Sequence, residues 1–487
     1  MHDPQILSRA ADSADADASA NVIRLASARP RPAAAPRAAA RAGNGPRLGE
    51  LLGALSLALD LCEGHPAGPA QRSCWIGQQL GRALGLKTTH LRELYYATLL
   101  KDAGGSANAA RVSAVFLADD RRLKHEFSSA GTSLPATLRF VIARTGERSP
   151  WIARARALLH LAQHGAGIAR EVATLRGSRG AQLARQLRFG DSVADAIASL
   201  AEHWDGSGEP EGLAGDEIPL FARIALLAQV VDVFHTRGGP HGAREAIARR
   251  RGRALDPRLC DTFDALSRDE DFWLGLMAED LEQRLLDIEP ARLTEPLADD
   301  YLDDVAAAFG QVADAKSGWT TRHSERVALV ADQVSAGLGL EDDQRRWLRR
   351  GALLHDIGKL GVSSRILEKA GPLDPWERAE MQRHPLYTEQ LLGRIASFGA
   401  LARVAGAHHE KLDGSGYPRG LDARHIRLET RIVTTADIYD ALTADRPWRC
   451  ALAPEAALAL MREAVGSAID ADCHAALIQA VDRLGPF

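Results

Sequence analysis

Five separate segments in the second half of the chain carry side chains of the kind that bind metal ions. In chain order these ligand candidates are His323, His355, Asp356, His384, His408, His409 and Asp437. Imidazole binds iron, zinc, copper and nickel well, and a carboxylate adds charge and can join two ions. Two ions about 3.5–4 Å apart can share an aspartate and polarise a phosphoryl group between them. The set therefore predicts a two-metal hydrolytic centre.

The segments that carry these residues have helical patterns. Val327, Val330 and Val334 recur at helical spacing along one face, whereas alternating strand patterns are almost absent from the chain. We therefore expect an all-α fold, in which side chains from facing helices meet in a bundle core. A buried ion pair between His355 and Asp356 is the alternative for that one segment, and it leaves the other ligand candidates unexplained.

The chain contains an internal duplication. SERVALVADQVSAGLGL (324–340) aligns with AQRSCWIGQQLGRALGL (70–86) at an offset of 254. After an insertion of 46 residues in the first copy the offset becomes 208, and DGSGYPRGL (413–421) aligns with DGSGEPEGL (205–213). Separate matches in the same order predict two tandem copies of one helical bundle.

The duplication and the composition together predict the domain organisation. The first segment is rich in Ala, Pro and Arg and lacks an apolar face, so it is expected to be disordered. We predict a tail (1–45), a first copy (46–285), a linker (286–300) and a second, catalytic copy (301–487).

Composition and charge exclude several classes of protein. The 487 residues carry 60 basic and 64 acidic side chains, a net charge of −4, which argues against dedicated nucleic-acid binding. No apolar run reaches the roughly 18 residues that a membrane-spanning helix requires. The five cysteines form no CxxC pair, so we expect reduced thiols and a cytoplasmic location.

The second copy resembles the HD-GYP family in five motifs: HSERVALVADQVSAGLGL, LLHDIGKLG, His-Pro at 384–385, HHEKLDGSGYPRGL and ADIYDALTADRPWR. This family is a branch of the HD-domain metal-dependent phosphohydrolases, and it degrades the bacterial second messenger cyclic di-GMP. The resemblance extends from about residue 300 to residue 485. It implies an HD-type helical bundle for this copy.

The resemblance also implies residue roles. It makes all seven candidates metal ligands, with Asp356 as the bridging carboxylate. Lys359, one turn beyond His355 on the predicted helix, matches a lysine that contacts the scissile phosphate or its attacking water, where an ammonium stabilises developing charge. Arg446 and Arg449 match residues that hold substrate phosphates, with a surface salt bridge as the alternative. Tyr417 lies on the Gly-rich loop and is a candidate contact for substrate or for a partner protein.

One departure from the family bears on the number of ions. Some members carry a glutamate or aspartate four residues before the first histidine, where it serves a third ion. Trp319 stands at that position here. Two divalent ions are therefore expected, with Fe or Mn as the metals that the resemblance implies.

The first copy has lost most of the ligand set. Asp102, aligned with Asp356, is retained, whereas the other aligned positions hold Pro69, Lys101, Leu200, Ala201 and Gln229. A lysine at a ligand position repels a metal ion. We predict that this copy binds no metal and is not catalytic, and that its fold serves dimerisation, regulation or ligand binding.

The expected activity is hydrolysis of cyclic di-GMP to linear pGpG, with GMP as a further candidate product. Two alternatives stay open. One is a phosphohydrolase of another nucleotide, such as a cyclic GMP-AMP dinucleotide, and the other is a non-enzymatic module that binds cyclic di-GMP. A homodimer or a signalling protein is the candidate protein partner.

Overall fold

Helices form the regular structure of this chain. A computed structural model describes residues 46–65, 68–128, 134–147, 149–289, 297–446 and 449–485. Within these ranges β-type pairing is limited to isolated bridges, so the prediction of an all-α fold is confirmed. The predicted tail (1–45) and part of the predicted linker (290–296) lie outside the described residues. None of the described helices is long and apolar enough to span a membrane.

The first copy begins with a buried apolar helix and includes two much longer helices, of 36 and 31 residues. Its helices are α1 (Leu48–Cys62), α2 (Pro69–Ala83), α3 (Thr88–Leu99), α4 (Ala109–Phe116), α5 (Asp120–Phe127), α6 (Leu134–Arg144), α7 (Trp151–Gln186), α8 (Asp191–Ala198), α9 (Leu220–Arg250), α10 (Pro257–Leu266), α11 (Glu270–Leu276) and α12 (Leu281–Ile288). Helix α9 is kinked at Gly238 and Gly239, just before Pro240.

The second copy repeats this order with shorter connections. Its helices are α13 (Asp299–Asp314), α14 (His323–Gly337), α15 (Asp342–Leu354), α16 (Ser364–Leu367), α17 (Pro375–Met381), α18 (His384–Leu392), α19 (Gly399–Ala405), α20 (Leu428–Thr443), α21 (Pro454–Glu463) and α22 (Ala471–Leu484). Short 3-10 helices occupy Gly215–Glu217, Ile357–Gly361 and Ala396–Phe398.

The helix boundaries reproduce the internal duplication. Helices α2 and α14 each span 15 residues and begin at aligned positions. Each is followed by a glycine with positive φ, Gly85 at 72° and Gly339 at 78°, which ends the helix. The chain therefore contains two tandem copies of one helical bundle, as predicted.

The two copies pack against each other through contacts between aligned positions. Arg188 of the first copy donates from Nε to Asp304 of the second at 2.9 Å. The aligned residues make the reciprocal contact, because the Ala396 N–H donates to Glu50 Oε1 at 2.8 Å. Contacts in which aligned residues exchange roles are typical of an isologous dimer interface. The duplicated chain thus has an internal pseudo-two-fold interface.

Candidate metal centre

The structure brings all seven ligand candidates together in the second copy. Six of them lie at or just beyond helix ends, and Asp437 lies within α20. His323 and His384 are the first residues of α14 and α18, and His355 directly follows α15. Because these helix ends converge, residues far apart in the sequence meet at one buried point.

Asp356 lies between two groups of histidines. Its Oδ1 is 3.4 Å from His384 Nε2 and 3.6 Å from His408 Nε2. Its Oδ2 is 3.4 Å from Nε2 of both His323 and His355. Each carboxylate oxygen therefore faces a different group, which is the geometry that a bridging carboxylate requires.

The remaining two candidates complete the two groups. His409 joins His384 and His408, and Asp437 joins His323 and His355. Within each of these groups of three, the ligand atoms lie within 4.8 Å of one another. The seven side chains thus form two adjacent sets of three that share Asp356.

The buried carboxylates of the site are stabilised by nearby positive charge. Burial opposes ionisation of Asp356, but His355 and Lys359 outweigh it and hold the pKa of this carboxyl well below its usual range. Burial likewise opposes protonation of His323, but Asp356 and Asp437 raise the pKa of this imidazole well above its usual value. A divalent ion would supply the same positive charge at this point.

The histidines of the other group are in the form that binds metal. Burial lowers the pKa of His384 to about 3 and that of His408 to about 4. Burial also holds the pKa of His409 well below its usual value. Neutral imidazole is the state in which histidine coordinates a metal ion.

Several ligand atoms are buried without a hydrogen-bond partner among the described residues. They are Nε2 of His323, Nε2 of His355 and Oδ1 of Asp356. Buried polar atoms are nearly always satisfied, and an ion is one of the partners that can satisfy them. The donor set, its burial and these unpaired atoms therefore fit a bound metal.

Hydrogen bonds at the opposite ring nitrogen orient the histidines. His355 Nδ1 lies 2.7 Å from Ala352 O, His384 Nδ1 lies 2.7 Å from Met381 O, and His408 Nδ1 lies 2.6 Å from Ala405 O. A backbone carbonyl at Nδ1 fixes the proton there and leaves Nε2 free for coordination.

His323 is oriented by a carboxylate that the sequence analysis missed. Its Nδ1 lies 2.6 Å from Asp440 Oδ2, and Asp440 also contacts the guanidinium of Arg326. The first copy keeps the same ion pair between Arg72 and Asp232. Arg326 and Asp440 are both retained in the aligned first copy, which was the feature of the sequence that could have indicated their structural role.

Replacing Asp440 with asparagine is expected to lower metal affinity by about 10–100-fold, because the charge that orients His323 and makes it more basic is lost. Competition with a chelator on the full chain measures this affinity. Asp232→Asn is the matched control, since it breaks the equivalent pair in the first copy. An equal effect of the two substitutions would contradict the assigned role of Asp440.

The predicted catalytic lysine adjoins the ligand group. The predicted shared helix is wrong, because α15 ends at Leu354 and Lys359 lies in the following 3-10 helix, Ile357–Gly361. The Lys359 ammonium nevertheless contacts Asp356 Oδ2, and its side chain is 20% exposed. It therefore lies at the boundary between the buried centre and solvent.

The other predicted substrate contacts have different surroundings. The Tyr417 ring stacks on the His409 imidazole, with centroids 4.7 Å apart. Arg449 donates to the backbone carbonyls of Ala441 and Leu442, near the C-terminus of α20, and its backbone pairs with that of Arg446. The Arg449 guanidinium is thus bonded to the helix end, whereas Tyr417 directly borders the ligand group.

The Gly-rich loop is held by a buried carboxylate in both copies. Glu410 accepts from the N–H groups of Arg419 at 2.7 Å and Leu421 at 2.8 Å. Glu202 makes the same two bonds to the loop of the first copy, at 2.8 and 3.0 Å. The same internal hydrogen bonds hold this loop in both copies. The first copy can therefore keep the DGSGxPxGL sequence for structural reasons, without binding a ligand there.

Cations from the chain itself fill the corresponding place in the first copy. Lys101 contacts Asp102, which also contacts Arg176 of α7. Arg176 lies 3.3 Å from Glu63, and Lys124 of α5 lies 3.1 Å from the same carboxylate. Burial opposes ionisation of Asp102, but Lys101 and Arg176 keep the pKa of its carboxyl below its usual value. The retained aspartate thus already has cationic partners, which supports the predicted loss of metal binding.

The comparison with known protein families recognises both copies of the helical bundle. The HD domain family matches residues 168–258 and 308–473, so that parts of both copies are recognised. The chain belongs to the HD-domain family, in its HD-GYP branch, and the resemblance predicted from the motifs is confirmed.

The relatives include enzymes for two cyclic dinucleotides. The 3'3'-cGAMP-specific phosphodiesterase 3 of Vibrio cholerae is 47% identical over 437 residues, 90% of this chain and 95% of the relative. A crystal structure of a cyclic GMP-AMP specific phosphodiesterase of V. cholerae (V-cGAP3) has a TM-score of 0.62 at 43% identity, covering 91% and 99% of the two chains. The cyclic di-GMP phosphodiesterase response regulator RpfG of Xanthomonas campestris pv. campestris is 35% identical over 211 residues, 42% of this chain and 55% of the relative.

Proposed function

We propose that this chain is a metal-dependent phosphodiesterase whose second copy hydrolyses 3'3'-cGAMP. The observation that carries the substrate is the 47% identity, through both copies, to a relative specific for that dinucleotide. The position of Asp356 between two histidine groups supports the chemistry, because phosphodiester hydrolysis is a reaction that two-metal sites promote.

The seven candidate ligands would hold two divalent ions. His323, His355 and Asp437 would bind one ion, His384, His408 and His409 the other, and Asp356 both. When bound, such ions polarise a phosphoryl oxygen and lower the pKa of water. A mixed imidazole and carboxylate set suits Fe and Mn, which we propose as the metals.

The side chains around the ligands would bind and orient the substrate. The Lys359 ammonium, partly exposed beside Asp356, would stabilise negative charge on a phosphoryl oxygen. The Tyr417 ring offers a flat surface beside His409 for the sugar or base. Arg446 and Arg449 remain the proposed contacts for the substrate phosphates.

Cyclic di-GMP is the second candidate substrate. Relatives named as cyclic di-GMP phosphodiesterases match the chain over shorter lengths, RpfG over 42% of it. The two dinucleotides share the ribose-phosphate ring and differ in one base, so the metal centre itself does not distinguish them. The expectation of cyclic di-GMP therefore stays a prediction, as do the cytoplasmic location and a homodimer or signalling partner.

Parallel assays of the two dinucleotides test the proposal. With the metal-loaded full chain we expect kcat/KM for 3'3'-cGAMP to exceed that for cyclic di-GMP at least about tenfold, which corresponds to ~1.4 kcal/mol of discrimination. His355→Ala is expected to abolish turnover. His203→Ala, which removes a histidine that contacts Ser207 on the Gly-rich loop of the first copy, should leave turnover unchanged. Preference for cyclic di-GMP would reassign the substrate, and turnover of neither would favour the binding module.

A further inference from the structure

One arginine of the first copy reaches the catalytic loop of the second. Arg121, in the first turn of α5, donates from Nε to Leu61 O at the end of α1 at 2.9 Å. Its Nη1 donates to Gly361 O, the last residue of the 3-10 helix that contains Lys359. A single guanidinium therefore joins the scaffold of the first copy to the HD loop, residues 355–361.

The preceding residue holds the segment that follows this loop. Asp120 Oδ1 accepts from the Ser364 N–H at 2.8 Å, and Asp120 Oδ2 accepts from Lys316 Nζ at 2.6 Å. The side chains of Asp120 and Lys316 are both fully buried, at 0% exposure. This contact is therefore a built part of the interface between the copies.

The opposite side of the HD loop rests on α18. The Gly358 N–H donates to Thr388 Oγ1 at 3.0 Å, and that hydroxyl donates to His355 O at 2.8 Å. A Cβ on Gly358 would lie 2.0 Å from His384 O, so the backbones are in close contact there. The loop is thus fixed between its own copy on one side and the first copy on the other.

We propose that Arg121 and Asp120 are positioning residues of the active site, and that the first copy supports catalysis by fixing the loop that carries Lys359. This inference rests on the proposed phosphodiesterase function. It gives the first copy a role that needs neither a metal nor a ligand of its own. Misplacement of a reacting group by about 1 Å can cost as much as 10²-fold in rate, so modest loosening of the loop would be measurable.

Arg121→Met tests the proposal, with Arg122→Met as the matched control. Arg122 is the next residue of α5, is exposed, and forms ion pairs with Glu126 and Glu147. We expect Arg121→Met to lower kcat about tenfold while KM, metal content and the thermal midpoint equal those of Arg122→Met. Arg121→Lys should restore part of the rate. In a Lys359→Met background the Arg121 substitution should have little further effect, because both act through the same group.

A second variant removes the buried contact without leaving an unpaired charge. The double substitution Asp120→Leu with Lys316→Met replaces the ion pair by apolar side chains of similar size, which proteins often tolerate. It removes the acceptor of the Ser364 N–H, so it should also lower kcat with the metal content unchanged.

Hydrogen–deuterium exchange separates this proposal from the proposed function. Even in a chain that hydrolyses neither dinucleotide, the amides of 357–364 should exchange faster in Arg121→Met than in Arg122→Met. Equal exchange in the two variants would overturn the positioning role whatever the activity. Equal kcat in the two variants of an active enzyme, or a lower kcat that accompanies metal loss, would also overturn it.

Discussion

Asp356→Asn is expected to abolish phosphodiester hydrolysis and to reduce bound metal to less than one ion per chain. An amide carries no charge and cannot offer a second anionic oxygen, whereas the Asp356 carboxylate directs one oxygen to each histidine group. Loss of the bridge should cost at least about 10³-fold in rate, or ~4 kcal/mol, because electrostatic stabilisation by both ions depends on it.

The retained aspartate of the first copy provides the comparison. Asp102→Asn makes the same chemical change where Lys101 and Arg176, rather than histidines, surround the carboxylate. It should leave the metal content of the full chain unchanged. Metal quantification and turnover of the two variants measure the difference, and retention of two ions by Asp356→Asn would show that this carboxylate does not bridge.

Arg176→Met is expected to lower the free energy of unfolding by about 2–4 kcal/mol and to leave the metal content unchanged. The substitution leaves the buried carboxylates of Asp102 and Glu63 with fewer cationic partners, and removing one member of a buried ion pair is strongly destabilising. We place the effect below the upper end of the range for such pairs because 27% of the Arg176 side chain is exposed.

Arg179→Met is the matched control for this substitution. Arg179 is exposed on the same helix and donates to Gln182, so its loss should change stability by no more than about 0.5 kcal/mol. Denaturant unfolding of both variants checks the prediction. Equal stability of the two variants would show that Arg176 does not balance the buried carboxylates of Asp102 and Glu63. Extra metal bound by Arg176→Met would contradict the expected unchanged metal content.

The metal centre could be predicted from the sequence because its ligands are residue types that rarely occur within apolar helical segments for other reasons. Several histidines that interrupt apolar helical segments have few interpretations other than metal binding. The alignment of the two copies also showed which ligand positions the first copy has lost. The orienting role of Asp440 could not be assigned in the same way, because an aspartate on a helix has many ordinary partners. Its contact with His323 depends on how α14 and α20 pack.

The charged cluster of the first copy could not be predicted from the aligned ligand positions alone. Arg176 lies at the offset of 208 from His384, but a cation at a ligand position does not by itself indicate which carboxylates it contacts. The interface between the copies was unpredictable for a similar reason. The pairing of Asp120 with Lys316 joins residues 196 positions apart and depends on the packing of two whole bundles.

Metal quantification combined with turnover of the full chain shows whether the second copy is a two-metal phosphodiesterase. The chain would be purified without oxygen, treated with a chelator, and reloaded with Fe²⁺ or Mn²⁺ in the presence of 3'3'-cGAMP. We predict that two ions bind per chain and that hydrolysis disappears with the ions and returns with them. Full hydrolysis by the metal-depleted chain, or none by a chain that holds two ions, would show that the second copy is not a two-metal phosphodiesterase.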